Sequence, residues 1–258
     1  MGRLLWVYAL LAAACGRIDF TPPDRDPDAM ASPDAPVGLD ADADADASGA
    51  CPVFALFCDD FESGDLSRWT GTAIDGPATL DLSGSQVHAG VYALDAKVAP
   101  DVTDGGNAAP YLHFAVPRST GTLAVREWIT ASPKLELFNM VIVLLHDTTD
   151  QFAGVGGNNT GEWVVTDDPG TGITTDHDST VVTPAAGTWT CVELVYTFAG
   201  GASTIDLYID EALVMTDTAN DPAPAFTDVQ IGVARADSTG IEVITDDVVI
   251  ADRRIGCE

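Results

Sequence analysis

The residues with the clearest chemical potential lie on the run 121–131 and on nearby runs. If Leu123 and Val125 turn towards a core, the period of two in a strand turns Ala124, Arg126, Trp128 and Thr130 the other way. An indole beside a guanidinium can stack on a sugar ring and donate to its hydroxyls, and His146 and Trp163 could join the pair from neighbouring strands. A rival chemistry draws on the same region: Arg126, Glu127, His146 and Glu162 include the base, acid and cation that proton transfer needs. Motif-bound chemistries are missing. The chain has no nucleophile elbow, no H-E-x-x-H zinc motif and no phosphate-cradling loop.

Cys15 offers chemistry of another kind. Met1-Gly2-Arg3 carries one positive charge, and Leu4 to Ala14 is apolar but too short to span a bilayer, so residues 1–14 read as a secretion signal. Leu11-Ala12-Ala13-Ala14-Cys15 resembles the bacterial lipobox, in which small residues precede a cysteine whose thiol takes a diacylglycerol. Ala12 stands where leucine is commoner. The expectation is a lipoprotein anchored to a membrane through Cys15, at the outer membrane or cell surface because Gly16 is not the aspartate that retains some lipoproteins inside. Residues 15–50 then form a tether. From 16 to 50 they hold nine aspartates and five prolines with Phe20 as the only aromatic, too little apolar surface to offset ordering entropy. Fully extended, the tether reaches roughly 120 Å. Its Asp40 to Asp46 alternation lacks the glycine and glutamate of a calcium loop and reads as a solvated spacer.

A net charge of −29 on 258 residues argues against nucleic acid and anionic lipid headgroups as partners, and favours cations. Cys51, Cys58, Cys191 and Cys257 remain once Cys15 is set aside. An even count in an exported chain implies two disulfides with three possible connectivities, and the spacing does not suit zinc.

Residues 51–258 suffice for one domain with a full core. They show no helix-length amphipathic segment. Short runs rich in Val, Ile, Thr, Phe and Tyr occur at 54–62, 91–98, 111–117, 121–131, 137–146, 161–166, 188–199, 203–210, 226–235 and 242–251, cut by Gly, Pro, Asp and Asn. This spacing predicts an all-β sandwich. Val192, Leu194, Tyr196 and Phe198 should face the core, with Cys191, Glu193, Val195 and Thr197 outward. Met140 to Leu145, apolar on both faces, should be a central strand. Gly154 to Gly161 reads as a loop.

Three stretches resemble the concanavalin A-like jelly rolls. Phe57-Cys58-Asp59-Asp60-Phe61-Glu62-Ser63-Gly64-Asp65-Leu66-Ser67-Arg68-Trp69 resembles their first strand and turn. Gly187-Thr188-Trp189-Thr190-Cys191-Val192-Glu193, followed by Ile205 to Asp210, is similar to the laminin-G-like hairpin. Thr245-Asp246-Asp247-Val248-Val249-Ile250 resembles the closing strand of laminarinases. The resemblance implies a jelly roll of two antiparallel sheets and places the Arg126 and Trp128 face on the saccharide groove, with Trp69 and Trp189 structural. The E-x-D-x-x-E glucanase strand and the R-x-E-L, Q-I-H and Y-x-K-x-G segments of alginate lyases are absent, and the isolated Arg126-Glu127 reads as a surface ion pair. The resemblance also implies a structural calcium held by Asp246, a Gly90 carbonyl and Glu62 or Ser63. Because first and last strands pair in such folds, it implies a Cys51–Cys257 bridge with Cys58–Cys191; local closure of Cys51 on Cys58 competes. The functional expectation is a monomeric, non-catalytic polysaccharide-binding or adhesion domain. The alternatives are a hydrolase or lyase with an unfamiliar catalytic set, and a structural envelope protein with no small ligand.

Overall fold

Strands alone are built from these β-branched and aromatic runs. The computed structural model describes residues 51–100, 109–135, 139–146, 151–168, 174–199, 203–218, 225–235 and 240–258, and among them there is no helix. The expected signal at 1–14, the expected lipidation at Cys15 and the expected tether 15–50 fall outside the described residues.

The strands are β1 (Ala55–Asp59), β2 (Gly71–Asp75), β3 (Ala78–Ser83), β4 (Ala93–Val98), β5 (Ala109–Arg118), β6 (Gly121–Ser132), β7 (Asn139–His146), β8 (Phe152–Gly157), β9 (Glu162–Asp168), β10 (Thr175–Val182), β11 (Thr190–Phe198), β12 (Thr204–Ile209), β13 (Ala212–Thr218), β14 (Phe226–Arg235) and β15 (Glu242–Ala251). They form two antiparallel sheets. Sheet A runs β13-β12-β11-β6-β15-β4-β3, with β1 also paired to β15, and sheet B runs β10-β9-β8-β7-β14-β5-β2. Between them lies one core in which Leu123, Val125 and Ile129 of β6 and Val192, Leu194 and Tyr196 of β11 meet Leu144, Val155, Val165 and Ile231 of sheet B.

Every expected run carries a strand. The glycine-rich stretch departs from expectation, because Gly154 to Gly157 belongs to β8, inside sheet B. The reason is close approach rather than turning: a Cβ on Gly156 would lie 2.0 Å from the Asn139 carbonyl oxygen. β7 is central, between β8 and β14, and buried on both faces as its composition requires.

The aromatic motif at the start has a local mechanical role. Asp59, buried at the end of β1, accepts the Phe61 N–H (3.1 Å) and the Trp69 indole N–H (2.7 Å). It thereby supports Phe61 in a left-handed conformation at φ 60° and pins Trp69 edge-on to Phe57. Burial pushes the Asp59 carboxyl above its usual range, against the pull of these donors.

The disulfides are Cys51–Cys58 and Cys191–Cys257, which corrects the long-range pairing and selects the local closure. The premise behind the long-range pairing is sound: β1 lies antiparallel to β15, from Ala55 opposite Ala251 to Asp59 opposite Val248. The chain beyond β15, however, does not follow β1. Residues 252–258 turn back towards the β11–β12–β13 end of sheet A, where Glu193 accepts the Ile255 and Gly256 N–H groups and Glu211 accepts that of Cys257. Arg254 spans Glu211 (2.7 Å) and lies over the Tyr208 ring at 4.1 Å. Cys257 is thus delivered to Cys191.

Candidate functional site

The side chains expected to form a saccharide site lie in separate places. Arg126 and Trp128 do share the outer face of β6, but Arg126 is buried near Glu193, Glu211 and Asp247, beside the clamped C-terminal tail. Desolvation lowers the Arg126 guanidinium pKa, against the raising effect of these acids. The Trp128 ring is covered by His88, stacked on it at 3.9 Å and 12°, and His88 also meets the edge of Trp189. Trp163 points the other way, into the core, and is fully buried. His146 ends β7 opposite Phe226, and its side chain lies outside the described residues. The rival acid–base set is dispersed too. Glu127 is not half of a surface ion pair. A strand places successive side chains on opposite faces, so Glu127 enters the sandwich interior with Thr245 as its polar neighbour. Complete burial raises its carboxyl far above the usual range and keeps it neutral. Glu162 begins β9 and accepts the Thr160 hydroxyl.

The residues proposed for calcium do converge, on the loop between β3 and β4. Glu62 Oε1 accepts the Val91 and Tyr92 N–H groups at 2.7 and 2.9 Å, and Gly90 packs so closely that a Cβ there would lie 2.3 Å from Oε1. From the other side, Asp246 Oδ2 accepts the His88 and Ala89 N–H groups at 2.9 and 3.2 Å, while Oδ1 accepts that of Asp247. Burial, then the adjacent Asp247 charge, raise the Asp246 carboxyl to about 7. Ser63 stands apart, its hydroxyl donating to the Asp65 carbonyl. Hard oxygens around one loop are the donor chemistry calcium takes. Here the same oxygens already answer backbone N–H groups, and among the described residues no three His, Cys, Asp or Glu side chains group as a metal site.

A different cluster occupies the outer face of sheet B. In β5, Leu112, Phe114 and Val116 pack on the core, which turns Tyr111 and His113 outward. Strand register then sets their neighbours. His113 lies between Gly71 of β2 and Gln230 of β14, and Tyr111 lies between Ala73 and Gly232. The His113 ring packs directly over Gly71, where a Cβ would sit 2.4 Å from Nε2, so only glycine admits the imidazole there. Gln230 hydrogen-bonds Tyr111. Asp228, two residues earlier on the same face of β14, brings Oδ2 within 3.0 Å of His113 Nδ1, close enough for an ion pair. Desolvation, then the charges of Asp75 and Asp228, raise the Tyr111 phenol and hold it protonated. Desolvation likewise raises Asp228, against the lowering influence of His113. One ring, one imidazole, one amide and one carboxylate therefore share a partly exposed face. Such a set can stack on a sugar and exchange hydrogen bonds with its hydroxyls.

No family model matches the chain, and no curated protein matches it by sequence. Solved structures do. The cellulose-induced protein Cip1 superposes with a TM-score of 0.64 at 22% identity, over 78% of this chain and 100% of that one. An endo-β-1,4-glucuronan lyase from the fungus Trichoderma reesei superposes with 0.61 at 14% identity, over 76% and 95%. The fold is a jelly-roll sandwich of two antiparallel sheets. The binding domain of botulinum neurotoxin serotype G shares it more distantly, with 0.50 at 11% identity over 78% of this chain and 48% of that one. At these identities the likeness is one of fold, and the jelly roll's function here has to be argued from its own side chains.

Proposed function

We propose that this jelly roll binds a polysaccharide across the β2–β5–β14 part of sheet B's outer face. The observation that carries the reading is the grouping of Tyr111, His113, Asp228 and Gln230 between Gly71, Ala73 and Gly232. Tyr111 serves as the stacking ring, Gln230 and His113 exchange hydrogen bonds with hydroxyls, and Asp228 holds the imidazole. The fold likeness to a cellulose-induced protein and a glucuronan lyase makes a carbohydrate ligand plausible. Calorimetric titration with soluble oligosaccharides tests it: wild type should bind, and Tyr111→Ala and His113→Ala should each weaken binding about tenfold or more. No binding by wild type would leave the domain a structural envelope component.

Cleavage is the second reading and uses the same residues. Tyr111, held protonated, is a proton donor, and His113 beside Asp228 is a proton acceptor. New reducing ends or unsaturated products would establish it; binding without turnover leaves the first reading.

In the same proposal the domain is monomeric and displayed at the outer membrane or cell surface on a lipid-bearing Cys15, a setting supported by the disulfide pairing of its four cysteines. Cys15→Ser should release it from membranes; unchanged partitioning would contradict the anchor. A structural calcium at Glu62, Gly90 and Asp246 completes the proposal. At about one hundred times its Kd the ion would add roughly 2.7 kcal/mol, and magnesium at equal ionic strength should not.

A further inference from the structure

The outer face of sheet B is one-sided in charge. Around the cluster stand Asp75 on β2 and Asp228 on β14, both near enough to act on the Tyr111 phenol. At the far edge of the sheet, Asp176 and Asp178 of β10 accept from Thr166 and Asn158 and are separated from the cluster by the buried Val164, Phe152 and Val143, so they add only to the long-range field. Besides His113, His146 and His177, the strands of sheet B contain two basic residues, Arg118 and Arg235, at the ends of β5 and β14. A glycan seated on β2, β5 and β14 therefore meets Asp75 at the sheet edge and Asp228 beside its stacking ring. The chain as a whole, at −29, adds a field of the same sign.

A ligand bearing a carboxylate on every sugar would set like charges against these aspartates, and His113, the basic side chain of the cluster, is already engaged by Asp228. Hydroxyl groups and protonated amines bring hydrogen-bond donors, which aspartate, glutamine and the imidazole can accept. Resting on the binding reading above, we infer that the site takes a glycan without acidic groups, neutral or amine-bearing, and rejects polyuronates.

The test compares three probes on the full chain at low and high salt: a glucosamine oligosaccharide, a cello-oligosaccharide and an oligoglucuronate. The glucosamine or cello-oligosaccharide should bind about tenfold or more tighter than the oligoglucuronate at low salt, with the gap closing as salt screens the aspartates. Asp75→Asn, at an exposed position beside the cluster, should raise oligoglucuronate affinity by a larger factor than it changes cello-oligosaccharide affinity. If oligoglucuronate binds as tightly as the others at low salt, or more tightly, the ligand class is wrong, while its loss in Tyr111→Ala would keep the site. If none of the three binds, the binding reading falls first and this inference with it.

Discussion

The outer faces of the two sheets carry similar residues and use them in opposite ways. On sheet A, the chain itself answers the polar groups. Glu193 and Glu211 accept N–H groups of the C-terminal tail, Asp246 and Glu62 accept those of residues 88–92, and His88 sits on Trp128 while its Nδ1 lies 2.7 Å from Asp247. On the β2–β5–β14 part of sheet B, Tyr111, Gln230, His113 and Asp228 answer one another, with Gly71, Ala73 and Gly232 flanking the two rings and Val143 and Leu145 of β7 beside Gln230 and Asp228. An aromatic ring beside a charge marks a ligand face only where the chain leaves it uncovered.

That contrast can be broken most severely at the tail. Replacing Cys191 and Cys257 with serine should cost about 2–5 kcal/mol in denaturant unfolding. Glu193→Ala, which strands the Ile255 and Gly256 N–H groups, should cost about 2–4 kcal/mol. Neither should alter glycan affinity in the protein that remains folded. A tail variant that stays equally stable would mean that the strap contributes nothing.

Trp128→Ala should cost about 1–3 kcal/mol through lost packing with His88 and leave binding intact. Tyr111→Ala should do the reverse, with stability within about 1 kcal/mol of wild type and binding lost. Equal effects of the two on binding would erase the distinction between the faces.

Glu127 sharpens the contrast from the interior. Its folded pKa is raised, so the folded state holds a proton that the unfolded state releases above the ordinary glutamate range, and stability is lost as pH rises through that window. Tm should therefore climb on acidification from about pH 8 to about pH 5 even in high salt, where surface repulsion is screened. Glu127→Gln should flatten the slope. An unchanged slope would assign it to the surface acids instead.

Much of the fold is legible in the sequence because its signals are local. The motif from Phe57 to Trp69 acts within its own turn, where Asp59 holds both Phe61 and Trp69, and alternation in β11 names its core face directly. The site is harder to read. The alternation of Tyr111 and His113 with Leu112, Phe114 and Val116 is visible in the strand, but Gln230 joins only through the β5–β14 register and Gly71 only through the unexpected β2. Arg126 and Trp128 mislead for a physical reason. What covers them is a tail and a loop with no strand pattern, and the disulfide that fixes the tail depends on where the chain goes after β15.

The most direct test of the central claim is amide chemical-shift mapping of the full chain titrated with a glucosamine oligosaccharide. Binding to sheet B predicts shifts that saturate together at Gly71, Tyr111, His113, Gln230 and Gly232, with residues 88, 128 and 189 unmoved. Shifts centred on His88, Trp128 and Trp189, or none at saturating ligand, would contradict it.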